Sequence, residues 1–156
     1  MSVAVNITQA SELVEQLTEA RPYRWQERLL HRWFAVGRSP AAVDIPTGLG
    51  KTRVMALWLA ARALGADLPR RLIYVVDRRA VVDQATAEAD RLVKSLPAAL
   101  LGLGEVAAAE CRARLGLRAG EMLPVSTLRG QFADNRRWLD TPGSAAIVVG
   151  TVDMIG

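Results

Sequence analysis

The stretch DIPTGLGKT, residues 44–52, holds the residue types that bind a phosphate chain. In a glycine-rich turn, consecutive backbone N–H groups point into one concavity, and the helix that follows adds its positive end. Gly48 and Gly50 let the backbone bend and approach phosphate oxygens closely. Lys51 is placed to meet the β- and γ-phosphates of a nucleoside triphosphate, and Thr52 to offer its hydroxyl to Mg²⁺. Pro46, Thr47, Gly48, Leu49, Gly50, Lys51 and Thr52 therefore form a candidate loop for ATP with Mg²⁺. The general pattern G-x-x-x-x-G-K-[ST] begins with Gly, and here Ile45 stands in that position.

Two further sets of residues fit this chemistry. Gln26 lies in PYRWQ, 25 residues before Lys51. A carboxamide donates to and accepts from an adenine edge at once, and a nearby aromatic ring or Arg can stack on the base. One Gln alone is equally an ordinary surface residue; the loop downstream gives it meaning. The second set lies at the ends of apolar runs. YVVDRRAVVDQ carries Asp77, Arg78, Arg79 and Gln84; VSTLRG carries Ser126, Thr127, Arg129 and Gly130; IVVGTVDMIG carries Gly150, Thr151 and Asp153. Hydroxyls, glycine N–H groups and Arg at successive strand ends suit a phosphodiester backbone, and together they describe a track for a nucleic acid strand. Any one of them alone reads as turn and cap chemistry.

The elements that must hold these residues alternate. A first helix is expected with Thr8 or Ser11 as cap and Leu13, Val14 and Leu17 on one face. RPYRWQERLLHRWFAVG reads as a second helix, with Trp25, Leu29, Leu30, Trp33 and Phe34 on its apolar side and Gly37 at its end. AAVDI, residues 41–45, reads as a short strand leading into the loop. TRVMALWLAARALGA follows as a helix apolar nearly all round, the mark of burial on most sides. RLIYVV is a continuous β-branched and aromatic run, expected of a central parallel strand. Residues 78–96 form a helix ended by Pro97, and a looser Ala-rich helix covers 104–116. MLPVS and AAIVVGTV are two more strands, Pro124 marking an edge or a terminus. The alternation predicts an α/β fold with a parallel sheet and right-handed crossovers.

Composition narrows the partners and the compartment. The chain has 156 residues, 51% of them hydrophobic, enough for one domain with a core. Its net charge is +4, and 18 of its 20 basic residues are Arg, which favours an anionic partner. Cys111 and His31 are the single residues of their types, so an internal disulfide and a metal site of several His or Cys are excluded. No apolar run reaches the ~18 residues that span a membrane. The N-terminus lacks the basic start and apolar core of a signal peptide, which points to the reducing cytoplasm.

Taken in order, YRWQ, DIPTGLGKT, YVVDRRAVVDQ, STLRG and IVVGTVDMIG resemble the first RecA-like domain of superfamily 2 helicases, and the tail PTGLGKT fits the helicase variant of the loop. More closely, VDRRAVVDQ, STLRG and GTVDMIG are similar to the helicase-nuclease of type I CRISPR systems, subtype I-G (I-U). The resemblance spans residues 21–156, with residues 1–20 as a preceding helix. It implies a RecA-like P-loop NTPase domain and the adenine-reading role for Gln26. It implies a single-stranded DNA path along Arg78, Arg79, Gln84, Ser126, Thr127, Arg129, Gly130 and Thr151. The implied partners are single-stranded DNA and an RNA-guided surveillance complex. Helicases of this kind also need an Asp-Glu pair ending a further strand, and no Asp-Glu pair occurs in these 156 residues. The resemblance therefore implies a fold truncated before that Walker B strand, unable to hydrolyse ATP alone, with the nuclease ligands elsewhere. Three alternatives remain open: a restriction or RNA helicase, a P-loop module that binds nucleotide without hydrolysis, and a P-loop kinase using Asp77 as its magnesium acid.

Overall fold

The computed structural model describes residues 4–129, 132–133 and 137–152. Helix α1 (Ile7–Thr18) is capped by Asn6, whose Oδ1 accepts the Gln9 N–H at 3.1 Å. The expected caps, Thr8 and Ser11, lie inside the helix instead. An Asn side chain one residue ahead of the first turn satisfies the free N–H groups better than a hydroxyl within it. Ser11 serves another purpose, meeting His31 Nε2 on helix α2 (Arg24–Arg32) at 2.8 Å. Helix α2 is shorter than its apolar pattern suggests. A separate 3-10 turn, Phe34–Val36, follows it, and Gly37 closes that turn with φ of 72°.

Helix α3 (Val54–Ala63) is preceded by one 3-10 turn, Lys51–Arg53. Eight of its ten residues are buried, as its nearly uniform apolarity demands. Strand β1 (Arg71–Val76) leads to helix α4 (Arg79–Leu101), which runs through Pro97 without ending there. An interior proline removes one helical bond and crowds the preceding turn. Here Leu96, Ala99 and Leu100, buried on both sides of the proline, outweigh that cost. Helix α5 (Glu105–Arg114) places Cys111 in the core, and strand β2 (Val125–Arg129) begins directly after Pro124. A short strand β3 (Phe132–Ala133), helix α6 (Arg137–Asp140) and strand β4 (Ala146–Thr151) complete the described elements.

The sheet order is β1-β4-β2-β3, with β1, β4 and β2 parallel and β3 antiparallel to β2. This is the expected α/β class: a three-strand parallel sheet flanked by helices. Register assigns its faces. Leu72, Tyr74 and Val76 align with Ile147, Val149 and Thr151, and Val125 and Thr127 with Ile147 and Val149. Side chains alternate along a strand, so these share one face, packed against α4 in the core with α1 and α3 beside it. Thr127 Oγ1 meets Thr86 Oγ1 of α4 at 3.0 Å on that face. The opposite face leaves Ile73 and Val75 of β1 at 53% and 44% exposure.

One expected strand is absent. Residues 41–45 form an irregular arm that starts at a bend and has no ladder partner among the described residues, and Val43 is exposed. An extended segment becomes a strand only when a neighbour accepts its backbone hydrogen bonds, and β1, the nearest strand in sequence, pairs with β4 instead.

Candidate nucleotide loop and strand-end edge

The candidate loop stands open to solvent, with Pro46 to Leu49 and Lys51 exposed and Thr52 half-buried. Its shape depends on Gly50, whose φ of 70° disfavours any side chain. A Cβ there would lie 3.1 Å from Gln26 Nε2 and 3.3 Å from the Tyr23 ring. The first turn of α2 thus packs directly against the loop backbone.

Three side chains of that turn make the contact. Trp25 donates its indole N–H to the Leu49 carbonyl at 3.0 Å. Gln26 donates from Nε2 to the Gly50 carbonyl at 3.1 Å, while its Oε1 accepts the Tyr23 N–H at 2.9 Å. The Tyr23 ring, half-open to solvent, lies under the Arg53 guanidinium, 5.7 Å from ring centroid to Cζ. Gln26 is fully buried, and both ends of its carboxamide are engaged with backbone. It holds the loop against α2, and the flat polar surface beside the loop comes from Tyr23 and Arg53. Trp25, expected only as part of an apolar helix face, is also a hydrogen-bond donor to the loop. The indole N–H, a donor with no acceptor function, was the signal for this.

The strand-end residues divide into two groups. Register sets the C-terminal ends of β1, β4 and β2 level, with Val76 opposite Thr151, and Leu128 opposite Gly150. Asp77 and Arg78 after β1, Thr151 on β4 and Arg129 on β2 are thereby brought to one sheet edge. Asp77, Arg78, Arg79 and Gln84 are exposed there. Ser126, Thr127 and Thr151 are not presented at the surface: Ser126 is fully buried with an unpartnered hydroxyl, the Thr127 hydroxyl faces Thr86, and Thr151 is buried at the end of β4. Gly130 and Asp153 lie outside the described residues.

Two clefts flank α2. One of 270 Å³ lies between α2 and the arm of residues 41–45, lined by Trp25, Arg28, Trp33, Val43 and Ile45 among others. The other, of 440 Å³ between α1 and α2, is lined by Glu12, Glu15 and Glu27 beside His31 and Arg21, and its three carboxylates, one of them paired with Arg21, oppose a polyphosphate. Among the described residues no group of three or more His, Cys, Asp or Glu is placed to hold a metal ion. Among them, too, no helix is long and apolar enough to cross a membrane.

A family model, that of the type III restriction enzyme res subunit, matches residues 14–153. The chain belongs to this family. The match includes Gln26, the loop and every described strand, so the res-subunit domain is an ATP-dependent superfamily 2 helicase-like domain. Neither the curated proteins nor the solved structures offer a match to it. The res-subunit match begins inside α1, whose Leu13, Val14 and Leu17 lie in the same core as α3 and α4.

Proposed function

We propose that this domain binds ATP with Mg²⁺ in residues 46–52 and belongs to a motor that moves along single-stranded DNA. The observation that carries the reading is the loop itself: exposed, turned at a positive-φ glycine, and followed by Lys51 and Thr52. Lys51 would hold the terminal phosphates and Thr52 the magnesium ion, which neutralises phosphate charge when bound. Tyr23 and Arg53 would offer the base a stacking surface, and Gln26 supports the same region from behind. The level strand ends, with Arg78, Arg79, Gln84 and Arg129, would follow the DNA backbone. With no Asp-Glu pair in these 156 residues, the domain binds nucleotide without turning it over by itself.

The narrower reading is a part in type I CRISPR interference, acting with an RNA-guided surveillance complex in the cytoplasm. It is supported by the likeness of VDRRAVVDQ, STLRG and GTVDMIG to that group of helicase-nucleases. The family match supports the broader reading, an ATP-dependent superfamily 2 helicase-like domain.

Titration of ATP onto the protein and onto Lys51→Ala tests the nucleotide assignment. Removing a charge-assisted contact to phosphate weakens ATP binding by about 10- to 100-fold. Equal affinity of the two proteins removes the loop from the nucleotide site.

A further inference from the structure

We propose that Trp25 is a positioning residue for phosphate binding, fixing through the Leu49 carbonyl the direction in which the Gly50 N–H donates. The inference rests on the nucleotide reading above and adds a residue to it. A trans peptide unit is flat, so its C=O and the N–H of the next residue point in opposite directions. The Leu49 carbonyl points at the Trp25 indole N–H, 3.0 Å away, so the Gly50 N–H of the same unit points away from α2. The Gly50 carbonyl points at Gln26 Nε2, 3.1 Å away, so the Lys51 N–H also points away from α2. Two adjacent residues of one helix turn thus orient two adjacent peptide planes. Successive N–H groups facing one side are what an anion-binding concavity requires.

The two planes are secured unequally. The Gly50 carbonyl has a second donor, the Arg53 N–H at 3.1 Å, so losing Gln26 leaves that plane held by the following turn. Among the described residues the Leu49 carbonyl has Trp25 alone. Nor does its side chain anchor the plane, since Leu49 is 38% exposed. In a turn with glycine on both sides of Leu49, the unit between Leu49 and Gly50 rotates at little steric cost. Without the indole N–H, the carbonyl is free to turn into the concavity and the Gly50 N–H out of it. The effect is confined to phosphate recognition, because no atom of that peptide unit is required for stacking a base.

The test compares Trp25→Phe with the parent protein by titration with ATP, inorganic triphosphate and adenosine. A second variant, with a benzothienylalanine at position 25, keeps the fused-ring shape and replaces the N–H by sulfur. Both are expected to bind ATP and triphosphate about 3- to 10-fold more weakly, the worth of one hydrogen bond, while adenosine binding is unchanged. Parent-like affinity for triphosphate in the benzothienyl variant overturns the proposal, as does an equal loss for adenosine in that variant. A parent protein that binds neither ATP nor triphosphate removes the nucleotide reading itself, and this inference with it.

Discussion

Residues 145–151, AAIVVGT, and residues 41–45, AAVDI, are similar strings with opposite outcomes. Within the first, β4 is buried at every position; the second is open at nearly every one. Apart from the charge of Asp44, composition does not separate them, but neighbours do. Strand β4 has β1 on one side and β2 on the other, while the arm has no ladder partner among the described residues. Strand β1, with one ladder partner among the described residues, falls between them, with Ile73 and Val75 half-exposed. An apolar β-branched run makes a segment able to be a core strand, and only two flanking ladders make it one. The division also separates roles: β4 carries stability, and the arm delivers the loop that meets solvent.

The sharpest way to break this comparison is a pair of truncations. Ile147→Ala in β4 is expected to cost about 2–5 kcal/mol, and Val43→Ala in the arm about 0.5 kcal/mol or less. Equal shifts in the urea midpoint would mean that the arm is packed as tightly as the strand. A second test concerns the sheet edge. Arg129→Ala is expected to weaken single-stranded DNA binding and to reduce the slope of log affinity against log salt by about one. A slope unchanged from the parent removes Arg129 from the phosphate path. A third concerns β1. Ile73→Lys places a charge on the open face of an edge strand, where it discourages strand-to-strand association. Stability is expected to stay within about 0.5 kcal/mol; a loss of folding would show that this face is covered.

The smallest expected effect is one of pH. Burial pushes the Cys111 thiol and the Tyr74 phenol above their ordinary values, with Glu110 adding to the rise at Cys111 and Arg114 and Arg112 opposing it. Both groups are neutral when protonated, so the folded state favours the protonated form. The Cys111 contribution is complete below the ordinary thiol value of 9.0 and the Tyr74 contribution below the ordinary phenol value of 10.0, and each is lost as pH rises above that value. The urea midpoint should therefore fall between neutral pH and about pH 10 through Cys111. A midpoint that rises over this interval contradicts the burial of Cys111.

Much of the architecture was legible in the sequence because its strongest signals are local. RLIYVV is β1 residue for residue, and AAIVVGTV contains β4 with one extra residue at each end. The uniform apolarity of VMALWLAARA announced a helix buried nearly all round. What stayed hidden depended on partners distant in sequence. No feature of AAVDI says that its ladder is missing. Pro97 has the local chemistry of a stop, overruled by the burial of Leu96 and Leu100. Gln26 was singled out for an adenine edge in combination with the loop downstream. Its engagement with Tyr23 and Gly50 became visible only once α2 was docked on the loop. Ser126 and Thr127 looked like surface hydroxyls because they end an apolar run, yet register turns one into the α4 face and seals the other inside.

Helix α1 has a consequence for the order in which the molecule assembles. Its buried face, Ala10, Leu13, Val14 and Leu17, packs against α3 and α4, and α4 begins only at Arg79. On a growing chain α1 is made before both of these partners, and its apolar stripe is covered in two stages, by α3 once Ala63 has been made and by α4 once Leu101 has been made. Closing the second contact spans a long stretch of chain, so it sets a non-local, late step in folding rather than an early nucleus.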